Sequence, residues 1–267
     1  MNKYTVCGYD MDLVHSKMLE IAVEIDRICR KYNIKYILDG GSMLGAVRHN
    51  GFIPWDHDLD VAMLREDYEK FQTACETELK ERFFFSNYST EERYSLNFGK
   101  MRMNGTHFLE MQYQNLNLHD GIFVDIFPID NTYKIFRKLQ CRLVAFVYCA
   151  HQVKNGIYDG SDFKKLIYIP FSWLSFKTLN AWRDGLMKMF NRRKTKYVYK
   201  VCHPGKKKPI NNRSIYEDII EHEFEEKNFY IPREYDDFLT KRYGEYMKIP
   251  PESEIYECCG TIVNCEL

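Results

Sequence analysis

The stretch GFIPWDHDLDVAM, from Gly51 to Met63, places three aspartates at alternate positions inside an otherwise apolar run. Successive side chains of a β-strand point to opposite faces, so Asp56, Asp58 and Asp60 would share one face and repel one another. A carboxylate that is buried without a partner is also costly. The stretch therefore predicts a strand whose acids need a compensating partner and do not serve to pack the core.

A glycine-rich segment precedes this strand. The residues LDGGSMLGAVRH predict a short strand, a Gly-Gly turn and a helix that begins near Ser42. Glycines let a backbone approach phosphate oxygens, and a helix N-terminus offers unpaired N–H groups and the positive end of the helix dipole. Carboxylates that follow closely can hold a divalent cation, and Mg²⁺ usually takes one or two carboxylates together with substrate phosphates. Such a cation would also neutralise the crowded acids.

A third acid, Asp125, lies inside the apolar run GIFVDIFPID. One interpretation places Asp58, Asp60 and Asp125 at strand ends, where water solvates them. Asp60 and Asp125 are flanked on both sides by apolar residues, and Asp58 is followed by Leu59. Because a buried unpaired carboxylate is unfavourable, a metal site is the preferred interpretation.

The whole chain predicts an α+β fold with a mixed central sheet and a helical C-terminal lobe. Apolar residues at spacings of three and four predict a helix over 12–32, and aromatic and β-branched runs predict several strands within 82–127. Helices are predicted over 136–153 and 179–201. A short apolar segment between them is broken by Pro170.

The charges are distributed unevenly. Residues 132–213 contain 19 Lys or Arg and three acids, a net charge of +16, and the rest of the neutral chain sums to −16. We predict a catalytic core at 1–131, a basic helical segment at 132–213 and an acidic helical segment at 214–267 that packs on the core. The basic segment is a solvated face, a nucleic-acid-binding surface, or a surface that rests on an anionic membrane through LIYIPFSWLSF.

Composition also limits the cellular compartment. The N-terminal residues are too polar for a signal peptide, and no segment approaches the roughly 20 apolar residues of a membrane span. Nine cysteines without a C-x-x-C pair predict reduced thiols. A metal site at Cys258, Cys259 and Cys265 is disfavoured because no histidine lies nearby. We expect a cytoplasmic protein, and a peripheral position at the inner face of the membrane stays open.

The block LDGGSMLGAVRHNGFIPWDHDLDVAMLREDYEKF closely resembles the signature of the LicD family of phosphotransferases. This family is related to fukutin and fukutin-related protein and belongs to the nucleotidyltransferase-fold superfamily. The resemblance continues through KMRMNGTHF, HDGIFVDIFPID and YDDFLTKRYGEYMKIPP, and it leaves out only the basic middle segment. His57 stands where the family commonly has an acid. Position 57 faces away from Asp58 and Asp60, so we expect their site to be intact.

The resemblance implies a nucleotidyltransferase-like core and a set of site residues. It implies that Gly41 and Ser42 contact phosphate. It also implies that Asp58, Asp60 and Asp125 hold Mg²⁺ or Mn²⁺.

Further side chains are candidates for substrate contact. Arg48 belongs to the strongest block, and Lys100 and Arg102 alternate on one strand face, so these cations are expected at the diphosphate. The alternative is exposed charge at the end of an element. Asp125 is the first candidate for the general base and Asp56 the second. Both roles on Asp125 would be a compromise, because a carboxylate that binds metal is poorly suited to accept a proton as well.

The resemblance implies transfer of a phospho-alcohol, typically phosphocholine from CDP-choline, to a sugar hydroxyl with release of CMP. The acceptor would be a lipid-linked precursor of a cell-surface glycan such as teichoic acid, lipopolysaccharide or capsule. A phosphopolyol transferase that uses CDP-ribitol or CDP-glycerol is one alternative. A non-catalytic nucleic-acid-binding module is another, but an inactive site has no need of three clustered acids. We therefore expect an enzyme that does not bind nucleic acid.

Overall fold

The computed structural model describes residues 4–79, 81–203, 209–251, 255 and 262–267. The helices in these ranges are α1 Met11–Lys31, α2 Gly40–His49, α3 Arg65–Glu78, α4 Arg137–Asn155, α5 Asp162–Ser172, α6 Phe176–Met187, α7 Ser214–Glu217 and α8 Tyr235–Tyr243. The strands are β1 Thr5–Val6, β2 Tyr9–Asp10, β3 Ile37–Leu38, β4 Asp60–Leu64, β5 Phe83–Ser86, β6 Gly99–Met103, β7 His107–Glu110, β8 Phe123–Thr132, β9 Tyr197–Tyr199, β10 Asn211–Asn212, β11 Ile219–Phe224, β12 Lys227–Pro232 and β13 Ile262–Glu266. No helix in the described ranges is both long and apolar enough to cross a membrane.

The central sheet is mixed and has seven strands. Strands β4 and β8 lie in parallel at its centre, and β3 pairs with β4 in the antiparallel sense. Strand β6 pairs with the first half of β8 and β9 with its end, both antiparallel. Strands β5 and β10 are the outer partners of β6 and β9. Every residue of β8 is buried, as expected for the strand that carries most of the pairing.

Helices α1 and α3 pack against this sheet. The face of α1 that meets the core repeats at spacings of three and four and has no solvent exposure; it consists of Val14, Met18, Ile21, Ile25 and Ile28. Each such side chain contributes roughly 1.5–3 kcal/mol by leaving water. The predicted helix over 12–32 and the predicted α+β fold with a mixed sheet are confirmed.

The acidic segment 214–267 differs from its prediction. We predicted a helical segment, but β11 and β12 form an antiparallel hairpin, and α7 and α8 are the helices in its described part. The hairpin turn consists of Glu225 and Glu226, whose φ angles are 51° and 59°. Glycine, asparagine or aspartate usually occupies such left-handed turn positions. The sequence therefore carried no turn signal at this point.

Two predictions in the basic segment are also wrong, one of a helix and one of a break at Pro170. The run 179–201 was predicted as one helix, yet α6 ends at Met187 and the alternating Tyr-Val-Tyr of β9 joins the central sheet. Three alternating residues are too few to outweigh helical spacing in a sequence pattern. Pro170 lies within α5 and does not break it. The side chain of Ser161 caps α5 by accepting the N–H of Lys164, which starts the helix well before the proline.

A buried ion pair connects α3 to β8. The Nε and Nη2 atoms of Arg65 donate to the two carboxylate oxygens of Asp130, each at 2.8 Å. The side chain of Asn191 donates to Asp130 Oδ1 at 2.7 Å. Because both charges are buried, losing either partner would leave the other charge without compensation.

We expect Arg65→Met to lower the free energy of unfolding by about 3–5 kcal/mol, because Asp130 would remain buried without its cation. Urea denaturation measures this change. The matched control is Arg233→Met, since the Arg233–Asp218 pair is exposed and such pairs contribute at most about 1 kcal/mol. Equal losses in the two variants would contradict the importance of the buried pair.

Candidate active site

Charged side chains form a row across neighbouring strands of the central sheet. Asp60 of β4 lies opposite Asp125 of β8, and Asp125 lies opposite Lys100 of β6. Asp39, directly after β3, donates its backbone N–H to the carbonyl oxygen of Asp60 at 2.9 Å. Residues opposite each other on paired strands present their side chains to the same face. The sheet thus brings Asp60 and Asp125 together although they are far apart in the sequence.

Helix α2 begins directly beside these acids. Gly40 and Gly41 lie in its first turn, not in a turn ahead of the predicted start near Ser42. Gly40 has a φ of +58°, and a Cβ on it would lie 3.2 Å from Asp60 Oδ2. A Cβ on Gly41 would lie 2.4 Å from Asp56 Oδ2. Only glycine allows the acids to approach the helix this closely.

Two contacts fix the loop between α2 and β4. Ser42 Oγ accepts the backbone N–H of Asp60 at 2.8 Å. His15 on α1 places Nε2 2.6 Å from the carbonyl oxygen of Asp56, which accepts a hydrogen bond from it, and its ring stacks on Phe52 at 4.1 Å. Ser42, predicted at the phosphate, is therefore also the residue that joins α2 to the acidic strand.

The tip of the β11–β12 hairpin holds the start of the same loop. Glu225 Oε1 accepts the backbone N–H of Phe52 at 3.0 Å, and the Glu225 N–H donates to the carbonyl oxygen of Asn50 at 2.9 Å. A Cβ on Gly51 would lie 2.1 Å from Glu225 Oε1, so a larger residue has no room there. The loop that carries the acids therefore depends on the C-terminal segment.

Burial and mutual repulsion raise the pKa of Asp56, Asp58 and Asp60. Burial raises the pKa of Asp56 to about 6. Burial raises the pKa of Asp58 well above its ordinary value, and the charges of Asp56 and Asp125 raise it further. Burial and the charge of Asp58 do the same to the pKa of Asp60. The carboxyl groups of Asp56 and Asp58 interact directly, so the two groups titrate as a linked pair.

Sequence reasoning missed two cations at this site, Lys200 and Arg242. Both form ion pairs with the buried Asp39, and Arg242 Nη1 lies 3.1 Å from Asp39 Oδ1. Arg242 Nη2 would lie 3.2 Å from a Cβ on Gly40, as Asp60 Oδ2 would, so the two charges flank one glycine. Arg242 belongs to the block YDDFLTKRYGEYMKIPP, whose resemblance was the available signal. Lys200, in the basic segment, gave none.

Two of the cations predicted at the diphosphate are buried and bound by protein groups. Lys100 Nζ lies 2.9 Å from Asp125 Oδ1 and 3.3 Å from Glu110 Oε2. Arg102 Nη1 donates to the carbonyl oxygen of Gly121 at 2.8 Å. Lys100 lies in the charged row beside Asp125, whereas Arg102 binds the backbone of Gly121, before β8.

Arg48 lies at the other end of α2. Its Nη1 donates to the carbonyl oxygen of Tyr246 at 3.0 Å, and partial burial lowers its pKa. The side chain thus connects the end of α2 to the segment after α8. Arg48 is therefore separated from the charged row by the length of α2.

The acids meet part of the requirement for a metal site. In the described ranges, no three His, Cys, Asp or Glu side chains converge so as to hold a metal ion. The predicted trio is incomplete because Lys100 holds Asp125 Oδ1. Two carboxylates suffice for Mg²⁺ when phosphates supply further ligands, and Asp60 Oδ1 is buried with no hydrogen-bond partner in the described chain. Asp58 and Asp60 fit a divalent cation as a pair.

The cysteine cluster that we disfavoured as a metal site is only partly described. Cys258 and Cys259 lie outside the described residues. Cys265 is a buried residue of β13, where burial raises the pKa of its thiol to about 11. A thiol with a raised pKa is a poor source of the thiolate that metals bind.

A row of acids beside a helix that opens with two glycines, with cations at the same point, is compatible with the transfer of phosphate groups. The family model described as LicD/FKTN/FKRP, nucleotidyltransferase domain, matches residues 33–183. Since this match covers more than half of the chain, the protein belongs to that family. It is a transferase of phosphate-containing groups.

Individual relatives agree with the family. Lipopolysaccharide cholinephosphotransferase LicD of Haemophilus influenzae is 28% identical over 250 residues, which cover 85% of this chain and 87% of the relative. An uncharacterized protein of Rickettsia typhi is 42% identical over 55 residues, covering 21% of this chain and 18% of the relative. Ribitol 5-phosphate transferase FKRP of Homo sapiens is 53% identical over 34 residues, which cover 13% of this chain and 7% of the relative. The resemblance predicted from the sequence is confirmed.

We expect Asp58→Asn to raise the Tm of the metal-free protein near neutral pH, with a stabilisation on the order of 1 kcal/mol, because it removes a charge that burial and two neighbouring acids oppose. A raised pKa in the folded state contributes stability at low pH that is lost as the pH rises through that pKa. The advantage of the variant should therefore shrink as the pH falls below neutral and vanish near about 4, the ordinary pKa of an aspartate.

Thermal unfolding with a chelator, at neutral pH and at a pH of about 4, measures this difference. The control is Asp218→Asn, which removes an exposed acid. A variant that is less stable than the parent protein near neutral pH would contradict the repulsion.

Proposed function

We propose that the protein transfers phosphocholine from CDP-choline to a sugar hydroxyl of a cell-surface glycan precursor and releases CMP. The observation that carries this proposal is the similarity, over 85% of the chain, to a relative named as a lipopolysaccharide cholinephosphotransferase. The acceptor would be a lipid-linked precursor of lipopolysaccharide, teichoic acid or capsule type. The charged row and the cations beside α2 support it, because a CDP-alcohol presents a diphosphate that needs compensation of its charge.

The proposed reaction is an in-line displacement at the β-phosphorus. The acceptor hydroxyl oxygen forms a bond to this phosphorus, while the bond from the phosphorus to the bridging oxygen of the diphosphate breaks. CMP leaves with that oxygen and its electron pair. The hydroxyl proton passes to a protein carboxylate. The protein has little covalent chemistry to perform, so its contribution is positioning and electrostatic stabilisation.

We assign the proton acceptor to Asp56, which was the second candidate from the sequence. Asp125, the first candidate, has its Oδ1 held by Lys100 at 2.9 Å, and a lysine at this distance makes a carboxylate less basic. Asp56 lies against Gly41 in the first turn of α2. A substrate phosphate placed at that turn would bring the acceptor hydroxyl close to the Asp56 carboxylate.

Arg242 and Lys200 would offset the charge of the diphosphate and of the departing CMP. Asp39 binds both and so fixes their positions before substrate arrives. Fixed cations need no reorganisation during the reaction, which is the main source of electrostatic catalysis. Asp39 is a positioning residue in this scheme.

Asp58 and Asp60 would hold Mg²⁺, or Mn²⁺ in its place, and such a cation supplies Lewis-acid stabilisation of charge on the phosphoryl oxygens. Both residues are half-buried. The contact from Ser42 Oγ to the Asp60 backbone keeps that carboxylate at the start of α2. Lys100 keeps Asp125 at the edge of this pair.

A phosphopolyol transferase that uses CDP-ribitol or CDP-glycerol is the second candidate function. The 53% identity over 34 residues to a protein named as a ribitol 5-phosphate transferase favours it. The displacement at phosphorus would be the same, so only the head group differs. The alternative of a non-catalytic nucleic-acid-binding module is not retained, because the chain belongs to a family of transferases.

Release of CMP tests the proposed function. The protein is incubated with Mg²⁺, one CDP-alcohol at a time and a glycan acceptor, and we expect CDP-choline to give the highest kcat/KM. CDP-ribitol and CDP-glycerol are the matched donors, and ADP-ribose controls for unspecific cleavage of a diphosphate. Preference for a CDP-polyol would replace the first candidate by the second, and the absence of CMP with every donor and acceptor would refute both.

We expect Asp60→Asn to reduce CMP release by about 10³-fold or more, because it removes one carboxylate of the proposed metal pair and costs about 4 kcal/mol of transition-state stabilisation. We expect Arg242→Gln to reduce kcat/KM by about 10²-fold through loss of a fixed cation. The control is Arg233→Gln, which removes an exposed arginine whose partner is the exposed Asp218. Full activity of Asp60→Asn in a folded protein would contradict the assignment of the pair.

A further inference from the structure

Helix α5 has apolar side chains on two opposite sides. Tyr168, Phe171 and, just after the helix, Leu174 face the protein and pack on a small cluster that includes Val147 of α4 and Leu179 of α6. This inner contact is sufficient to hold α5 in place. The helix nevertheless has no fully buried residue.

The opposite side carries a second apolar row, which we name the α5 outer stripe. Its members recur at spacings of three, one, three and three, which places them on one face of the helix. All five are exposed: Phe163, Leu166, Ile167, Pro170 and Trp173. Phe163 is 79% exposed and Trp173 is 84% exposed. Large apolar side chains grouped on an open surface mark a contact with another molecule or with a membrane.

Basic side chains border this stripe. Lys164 and Lys165 follow Phe163 directly, and Lys177 lies just beyond Trp173 in α6; all three are exposed. The acid of α5 is Asp162, at the N-terminus, where it favours the helix dipole. An apolar face with lysines at its borders is complementary to an apolar layer that is covered by anionic groups.

We propose that the α5 outer stripe docks on an anionic lipid surface. The helix would lie in the plane of the interface, with Phe163 and Trp173 among the upper acyl chains and the lysines against the head groups. Tryptophan favours this level of a membrane because it joins a large apolar ring to a polar N–H. The proposal goes beyond the proposed function and holds whichever alcohol or acceptor the enzyme uses.

The surface of a helix that binds a protein partner usually has a different residue composition. Protein interfaces are enriched in aromatic residues and arginine at their centre and depleted in lysine. Here lysine is the cation beside the aromatic residues, and a long lysine side chain can reach a head group while its stem covers apolar surface. A lipid surface is therefore the occupant that both the apolar row and its borders favour.

Flotation with vesicles tests the proposal on the full chain. Vesicles of phosphatidylcholine alone are compared with vesicles that contain about one-third phosphatidylglycerol, since electrostatic attraction requires an anionic lipid. We expect binding to the anionic vesicles only, a decrease at high salt, and a blue shift of tryptophan fluorescence. The shift should disappear in Trp173→Ser.

Paired variants separate the apolar contribution from the electrostatic one. Phe163→Ser with Trp173→Ser should weaken vesicle binding at least 10-fold. Lys164→Gln with Lys165→Gln should weaken it roughly 30-fold, as expected when each lysine near an anionic leaflet contributes about 1 kcal/mol. Tm should not change, because the altered side chains are exposed. The matched control is Leu13→Ser, an exposed leucine of α1 that should leave binding unchanged.

Three results would overturn the proposal. The first is equal binding to neutral and anionic vesicles, or none to either. The second is a stripe variant that binds like the parent protein. The third is a dimer, seen by size-exclusion chromatography with light scattering, that dissociates in the stripe variants, since a second copy of the chain would then cover this face. CMP release in detergent with a water-soluble acceptor is measured in parallel, so failure of docking is distinguished from failure of the proposed catalytic function.

Discussion

The whole site depends on keeping carboxylates of like charge next to one another on adjoining strands. The register that aligns Asp60 with Asp125 also places Asp39 beside them, which is unfavourable unless the charges are compensated. Lys200 and Arg242 compensate Asp39. Burial and the repulsion among Asp56, Asp58 and Asp60 nevertheless keep the pKa values of Asp58 and Asp60 raised. A divalent cation held by Asp58 and Asp60, as proposed above, would relieve this repulsion.

The compensation comes largely from the second half of the chain. Arg242 lies on α8, the tip of the β11–β12 hairpin binds the loop before the acids through Glu225, and Arg48 binds the segment after α8. Strand β9, next to Lys200, pairs with β8. The residues after the acidic strand are therefore part of the site. Without them, Asp39 would be a buried carboxylate that has lost both of its cations.

Local patterns predicted the parts of the fold that local forces determine. The spacing of three and four in α1 is imposed by one buried face, and the apolar runs around Asp60 and Asp125 belong to strands buried on both faces, so both patterns are visible in the sequence. The β11–β12 hairpin was missed because its turn consists of Glu225 and Glu226, which are not typical turn residues. Glu225 instead makes a tertiary contact with the backbone of Phe52. The partners of Asp39 were missed for a similar reason. Arg242 and Asp39 are neighbours only through the packing of α8, which no spacing records.

The same limit applies to net charge. The excess of +16 within 132–213 predicted a broad basic surface, yet part of that charge is directed inward. Lys200 and Arg213 are buried and pair with Asp39 and Glu66 of the acidic remainder, so the opposite net charges of the two parts attract within one fold. What an external partner meets is the remaining exposed charge, such as that beside the α5 outer stripe. The total charge of a segment does not show where a partner binds. Exposed lysines next to apolar side chains indicate the binding surface more directly, because their stems can cover apolar groups while their charges reach an anion.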